Sequence, residues 1–473
     1  MPVRPAKGFK VKSNGLAYAL HRIREYGLAQ RAENSVSESL RRAHRLVSDR
    51  LGIVAKVEFQ HMRPDEPKVF WAHASPPPFY QGSPTRLQYH GFGMSVVSER
   101  AVIKAIGECI ERYCAFPPDH RTLAFANHTT VSQTCRAVDP AKFALFSRAQ
   151  YSDPALPFED PECGRPMHWV KGVSLTCGDP VLVPASFVFV PYDAKITSYP
   201  PEPLFATSIS TGLACGPTYC AAVYRGLLEV IERDAFMLSW RHERSMATLD
   251  TRQFCGALTK SLLRAVEEIQ VSCVVKLATV DISVSVVLVT LTATTPRFPL
   301  FAMGAGADFD TEQALVLALE EALLCYSGLS RVESPADVDE RAELERGVNA
   351  VALHGLAHAR DASLQALRRC LVEPTPFAVN ARTSRRKGTV GDLLQELKEK
   401  GFEAIAVDLT PMDIDEAGFK VVRVLVPGLQ PLDLDRNWPY LGSARSETMF
   451  QHLNCEPAPN TDTLPNRMPH PFA

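Results

Sequence analysis

No stretch of this 473-residue chain approaches the ~18 uninterrupted apolar residues of a membrane span. Neither sign of charge is in excess: 51 Lys and Arg against 53 Asp and Glu leave −2. That balance gives no broad basic field for nucleic acid and no acidic tail. The 12 cysteines include no CxxC pair, and Cys109/Cys114 and Cys215/Cys220 are each five apart. A zinc or disulfide framework is therefore not indicated, and most are expected to be reduced core thiols. The opening MPVRPAKGFKVKSNG lacks an apolar core, so no secretory signal is read and a cytoplasmic protein is expected. Also missing are GxxxxGK[ST], the kinase HRD and DFG motifs, a GxSxG elbow and HExxH. His354 and His358 stand at i,i+4 spacing, but HGLAH lacks the intervening Glu and a third ligand, so no metal role is assigned there.

What is present fits a large globular protein of more than one lobe: 46% of residues are apolar. Residues 1–65 are read as a polar lead-in with an amphipathic helix over Ser35–Leu51. Residues 66–440 are read as the core, and 441–473 as a Pro-rich tail. Helical periodicity predicts helices over Ser98–Phe116, Tyr219–Trp240, Thr311–Leu329 and Thr389–Lys400, the last ended by Gly401. β-rich runs cover Val181–Val190, Val271–Val280, Val284–Thr292, Glu403–Leu409 and Phe419–Val426, with a hairpin expected around Asp281-Ile282-Ser283. Gly82–Gly93 and residues 117–167 read as loops and connectors. Periodicity is lost after Pro427. The expected class is α/β with mixed sheets, without a doubly wound βαβ pattern.

The strongest internal signal is a repeat. AVIKAIGECIERYCAF from Ala101 returns as AVYRGLLEVIERDAF from Ala222, 121 residues on. A weaker third copy, ALVLALEEALL, begins at Ala314 and puts Glu321 at the offset of Glu108 and Glu229. At 3.6 residues per turn, Lys104, Glu108 and Glu111 share a stripe opposite Val102, Ala105, Ile106, Cys109 and Tyr113. Arg225, Glu229, Glu232 and Arg233 share another, opposite Val223, Leu227, Val230, Ile231 and Leu238. Asp234 falls toward the apolar side and needs a partner if buried. Glu321 sits on an almost wholly apolar face, so its carboxylate must be paired or metal-bound. Taken singly, such helices are solvated faces with modest ion pairs. If the carboxylates of all three converge, they make an all-oxygen site suited to Mg²⁺ and a nucleotide held through it.

SERAVIKAIGECIERYCA and STGLACGPTYCAAVYRGLLEVIERDAF resemble the two signature segments of the YcaO family. RLGIVAKVEFQHMRPDEPKVFWAHASP, GFGMSVVSERA, GAGADFDTEQALVLALEEALL and FKVVRVLVPGLQPL resemble further segments of it, from about Leu51 to Pro431, and NRMPHPFA resembles the Pro-rich tail of its peptide-cyclising branch. The resemblance implies an ATP- and Mg²⁺-dependent enzyme acting on peptide backbone amides. Its most direct expectation is a cyclodehydratase that converts Cys, Ser or Thr of a ribosomal precursor peptide to thiazolines or oxazolines (RiPP biosynthesis). By position, it assigns Glu108, Glu111, Glu229, Glu232 and Glu321 to Mg²⁺ and phosphates, and Lys104, Arg112 and Arg233 to ATP. It also brings the tail, with Pro469, Pro471 and Ala473, to the active site. The implied partners are the precursor peptide and a separate leader-binding protein, with a homodimer left open; no nucleic acid or membrane is expected.

The chain departs from the family pattern at Lys104 (usually Ser), Pro217 (usually Asn), Ala221 (usually acidic), and Leu317 and Leu324 (usually Arg and Gln). Of these, Pro217 and Ala221 cannot supply a side-chain ligand. Two function classes stay open: an active backbone-modifying enzyme, with thioamide formation as the rival chemistry, or a degenerate homologue that binds peptide or a partner without turnover.

Overall fold

A computed structural model describes residues 36–77, 89–118, 120–143, 145–192, 202–295, 298–332, 358, 368–373, 375, 388–435, 437–453, 466 and 468–472. Among them the strands form three sheets. The first is β1 (Lys56–Phe59), β2 (Phe70–Ser75) and β3 (Gly91–Ser95), in that order. The second comprises β4 (Ala124–Ala126), β5 (Met167–Ser174), β6 (Pro180–Pro184), β7 (Leu213–Gly216), β12 (Ile405–Asp408) and β13 (Lys420–Leu425). Its order is β4-β5-β12-β13-β7, with β6 on β5. The third is β11 (Phe301–Asp308), β10 (Ser285–Ala293), β9 (Val271–Leu277) and β8 (Ala247–Thr248). Pairing within all three ladders is antiparallel. The longer helices are α1 (Val36–Ala43), α2 (Ser98–Cys114), α3 (Tyr219–Arg241), α4 (Ala257–Glu268), α5 (Thr311–Ser330), α6 (Val390–Glu399) and α7 (Arg445–Leu453). The result is the α/β class expected, built from several sheets with helices packed on them.

The predicted helices at the three repeats are present as α2, α3 and α5, and each directly follows an edge strand: β3, β7 and β11. Two of these strand–helix units match residue for residue at an offset of 213. A Cβ on Gly93 would lie 2.1 Å from Ala101 O, and one on Gly306 2.1 Å from Ala314 O. On Gly91 it would meet Ala105 O at 2.0 Å, and on Gly304 Ala318 O at 2.4 Å. Only glycine lets the helix backbone approach the strand this closely. That is why the expected loop through Gly82–Gly93 ends in a strand: here glycine marks close packing.

Other expectations shift. The first helix stops at Ala43 and a 3₁₀ turn over His44–Leu46 follows, because the chain doubles back there: Val54 N–H donates to Leu46 O and Ser48 N–H to Val54 O. Strand β1, within the sequence's lead-in, pairs with β2. The run from Val181 is a strand only to Pro184, where a 3₁₀ turn begins. The expected hairpin pairs as β9 with β10, Leu277 opposite Val287. Helix α6 starts at an N-cap box on Thr389 and is followed by Gly401 at φ +82°. The strands after it run over Ile405–Asp408 and Lys420–Leu425. Helix α7 lies where periodicity appeared lost. All described cysteines are free, but only Cys109, Cys114, Cys215 and Cys370 are buried, while Cys163, Cys177 and Cys255 are exposed. Cys220, Cys273 and Cys325 are half-buried against the core clusters, so the core-thiol expectation holds for seven of the eleven described cysteines. No described helix is long and apolar enough to cross a membrane.

Asp234 is buried, as its wheel position suggested, and its partner is Arg445 of α7 (Nη2 to Oδ2, 2.8 Å). The same guanidinium binds Asp281 (Nη1 to Oδ2, 3.1 Å), and Gln430 N–H donates to Asp234 at 2.7 Å. This network ties α7 and the loop before β10 to the middle of α3. Replacing Arg445 with Met strands two buried carboxylates, a loss expected to cost about 3–5 kcal/mol. Urea unfolding of Arg445→Met at pH 7 checks it; a change under ~1 kcal/mol would show that the network does not bear on stability.

Candidate active site

Strands β3, β7 and β11 each end a sheet, and the outward N–H groups of such an edge need acceptors. Glutamates supply them. Phe92 N–H donates to Glu108 Oε2 at 2.6 Å, sixteen residues along the chain. Ala305 N–H donates to Glu321 Oε2 at 2.6 Å, again sixteen residues along. Gly212 N–H, just before β7, donates to Glu229 Oε2 at 2.8 Å, and Cys215 N–H within β7 to Glu111 Oε1 at 2.6 Å. One geometric device thus recurs in all three units: the helix after an edge strand turns a carboxylate back onto that edge.

The carboxylates share one electrostatic neighbourhood. Burial pushes Glu111 up to about 8, and repulsion from Glu229 and Glu108 adds to it against the Cys215 N–H and Arg225. Burial also raises Glu232 well above the usual range, with Glu321 and Glu229 contributing. Glu321 is raised as well, again chiefly by burial, while Arg233 and Lys104 pull it back and Glu229 pushes it further. Glu229 therefore acts on the other three, and all five glutamates assigned from the sequence meet in one region.

They divide into two kinds. Glu108 and Glu229 are already neutralised: Arg112 Nη2 lies 2.5 Å from Glu108 Oε1, and Arg233 Nη2 2.8 Å from Glu229 Oε1. Arg233 also donates to Thr211 Oγ1 at 2.6 Å. Glu111 Oε2, Glu321 Oε1 and both oxygens of Glu232 have no hydrogen-bond partner among the described residues. Those are the three with raised pKa. No group of three acids among the described residues is already close enough to hold a metal ion by itself. The donor set is wholly oxygen, hard and partly accessible, and it suits Mg²⁺, which keeps waters and takes further oxygens from phosphate.

Lys104 does not stand free. Its Nζ lies 3.1 Å from Glu320 Oε2, and Arg100 Nε lies 2.7 Å from Glu320 Oε1. Burial alone would raise Glu320, but Lys104 and Arg100 overcome it and hold its carboxyl below the usual range. Glu320 was not singled out in the sequence, although it adjoins Glu321; its partners come from 216 and 220 residues away. The other departures offer no ligand: Leu317 packs on Gly306, Leu324 on the apolar core, and Ala221 N–H only caps α3 at Thr218 Oγ1.

The tail reaches this region. Trp240 Nε1 and Arg241 Nη1 each donate to Met468 O at 3.2 Å, and His470 Nε2 lies 2.7 Å from Asp433 O. Buried Phe472 lies under the Arg233 guanidinium, 5.7 Å from ring centroid to Cζ. Pro469 O meets His358 Nε2 at 2.8 Å, which gives that histidine a structural role; His354 and Ala473 lie outside the described residues. One further residue escaped sequence reading. Arg423, in the middle of β13, is 3% exposed, and burial draws its guanidinium down to about 10 against the pull of Glu229.

Comparison with known proteins agrees with this geometry. A family model described as YcaO cyclodehydratase, ATP- and Mg²⁺-binding, matches residues 92–430. An uncharacterised protein of Methanothermobacter thermautotrophicus is 28% identical over 357 residues, which cover 73% of this chain and 82% of that one. Among solved structures, a heterocyclase in complex with substrate and cofactor superposes with a TM-score of 0.74 at 20% identity over 92% of this chain. The chain spans 57% of that heterocyclase's length. YcaO from Methanopyrus kandleri, bound with AMPPCP and Mg²⁺, gives 0.60 at 24% identity, covering 86% of this chain and 94% of that one. At these identities the two structures establish a common fold, and the family match, over most of the length, establishes descent: the chain belongs to the YcaO family.

Proposed function

We propose that this chain is an ATP- and Mg²⁺-dependent enzyme that cyclodehydrates Cys, Ser or Thr of a ribosomally made precursor peptide to azolines. The observation that carries this reading is the set of carboxylates around Glu229, which repels Glu111, Glu232 and Glu321, each of them with a free carboxylate oxygen; acids of like charge in such reach of one another favour a cation. The family's ATP- and Mg²⁺-binding description supports it, as do the nucleotide and Mg²⁺ held by the Methanopyrus relative of like fold.

In the reaction, the side-chain thiol or hydroxyl attacks the preceding carbonyl carbon. The resulting oxyanion takes the γ-phosphoryl group of ATP, and loss of phosphate leaves the C=N bond of the azoline and ADP. The amide oxygen leaves poorly until phosphorylated, so catalysis is mostly placement and charge stabilisation. Glu111, Glu232 and Glu321 would supply oxygens to Mg²⁺, which would offset the charge of the phosphates. Arg112 and Arg233 hold Glu108 and Glu229 in fixed orientation. Lys104, anchored by Glu320, adds a fixed positive charge beside Glu321. The tail, through Phe472, packs against Arg233 and orders it. A separate protein presents the leader of the peptide, and a cytoplasmic location fits the free cysteines among the described residues.

A second reading, binding without turnover, is favoured by one observation: Leu317 and Leu324 put apolar groups where the family pattern has polar ones. Mass spectrometry separates the readings. The full chain with Mg-ATP, a leader-binding partner and a Cys/Ser/Thr-rich precursor peptide should give loss of one water per modified residue. Replacement of oxygen by sulfur, seen when a sulfur-delivering partner is added, would mean thioamidation, and an unchanged peptide with ATP bound but not hydrolysed would mean a scaffold.

Glu232→Gln is expected to cut ATP turnover roughly 100-fold or more, with the melting temperature unchanged or raised because one repelling charge is gone. Wild-type turnover in that variant removes Glu232 from the site. The raised carboxyls also set a pH dependence. They hold protons in the folded metal-free protein that the unfolded chain has lost, so stability falls as pH rises from ordinary carboxyl values toward about 8. Mg-ATP binding should tighten over the same rise and release protons. Calorimetry at pH 7 in buffers of different ionisation enthalpy reads this directly; a buffer-independent enthalpy contradicts it.

A further inference from the structure

Arg423 is the least satisfied cation in the described structure. It lies in β13 between Leu213 of β7 and Val407 of β12, on the same face as Val421. Its Nε and Nη1 are sealed from solvent and have no hydrogen-bond partner, and no carboxylate forms an ion pair with it among the described residues. Its charge is felt by the site: Glu229 attracts it and Arg233 repels it. A buried guanidinium with unmet donors costs several kcal/mol unless something supplies acceptors. Neighbouring Arg233 has an unmet Nε as well, although its other nitrogens hold Glu229 and Thr211. Two guanidinium groups with donors to spare thus lie at the site: Arg233 within electrostatic reach of Glu232 and Glu321, and Arg423 within reach of Glu229 and Arg233.

We infer that Arg423 is a ligand for the phosphate chain of the nucleotide, the anion that completes its hydrogen bonding. This rests on the ATP-dependent reading above and goes beyond it by assigning the phosphate-binding cation from the core of the sheet. A polyphosphate suits the place better than the peptide substrate. It brings several anionic oxygens to planar donors, whereas a neutral amide would leave the charge unmatched. The guanidinium is also pre-set by the strand, so little entropy is lost when the phosphate arrives.

The test compares wild type, Arg423→Met and Arg423→Lys by thermal shift and calorimetry with Mg-ATP, magnesium tripolyphosphate and adenosine. Wild type should bind the first two. Arg423→Met should lose at least tenfold in affinity for both, leave adenosine binding where it was, and melt at the same or a higher temperature, since an unmatched charge has left the interior. Arg423→Lys should fall between. Equal Mg-ATP affinity in Arg423→Met and wild type overturns the assignment. So do lower melting temperatures in both variants with tripolyphosphate affinity intact, which would make Arg423 a packing residue. If wild type binds neither nucleotide nor tripolyphosphate, the ATP-dependent reading fails first and this assignment with it.

Discussion

A sheet edge must do something with its outward N–H groups, and that requirement organises this molecule. Three sheets end at β3, β7 and β11, and glutamates accept outward N–H groups at each end: from the following helix at β3, at β11 and just before β7, and from α2 at Cys215 within β7. The glycines of β3 and β11 make this possible, since only a bare Cα lets the helix come near enough for its glutamate to fold back. An acceptor bound to main-chain donors loses its freedom to rotate, and the N–H favours its charged form, although burial outweighs that at Glu111 and Glu321. The glutamates are thus fixed by secondary structure before any ligand is considered.

The arrangement has a cost. Burial raises Glu111, Glu232 and Glu321, and repulsion from Glu229 raises all three further. Cations offset part of it: Arg112 and Arg233 on two of the acids, Lys104 and Arg100 through Glu320. What remains is an imbalance on both sides, with acid oxygens lacking cations and guanidinium donors lacking anions. A metal–polyphosphate pair matches both halves at once. This is the physical sense in which the folded chain is built around an absent partner, and functional sites commonly hold such residual strain.

Much of the site was legible because helices repeat every 3.6 residues. The stripes of α2 and α3 set their glutamates opposite core residues, and the common offset of Glu108, Glu229 and Glu321 reflects the repeated capping geometry. Asp234 announced its buried partner without naming it, because Arg445 lies 211 residues further along the chain. The strands were less legible. Glycine-rich β3 resembles a loop in sequence, β7 is only four residues long, and a run such as GAGAD shows no alternation. Long-range pairings were beyond reach: nothing near Lys104 indicates that it meets Glu320. Arg423 did leave a trace, the one charge among the five buried residues VVRVL that follow Lys420, since a β-run buried on both faces rarely carries one without purpose.

The capped edges carry a further implication for how a peptide can be gripped. Many peptide-handling proteins recruit their guest as one more strand, zipping it along main-chain donors with little regard for side chains. Here those donors are occupied at Phe92, Gly212, Cys215 and Ala305. A chain lying across this region cannot zip onto those four N–H groups while the glutamates hold them, so any grip at these points has to come from side chains.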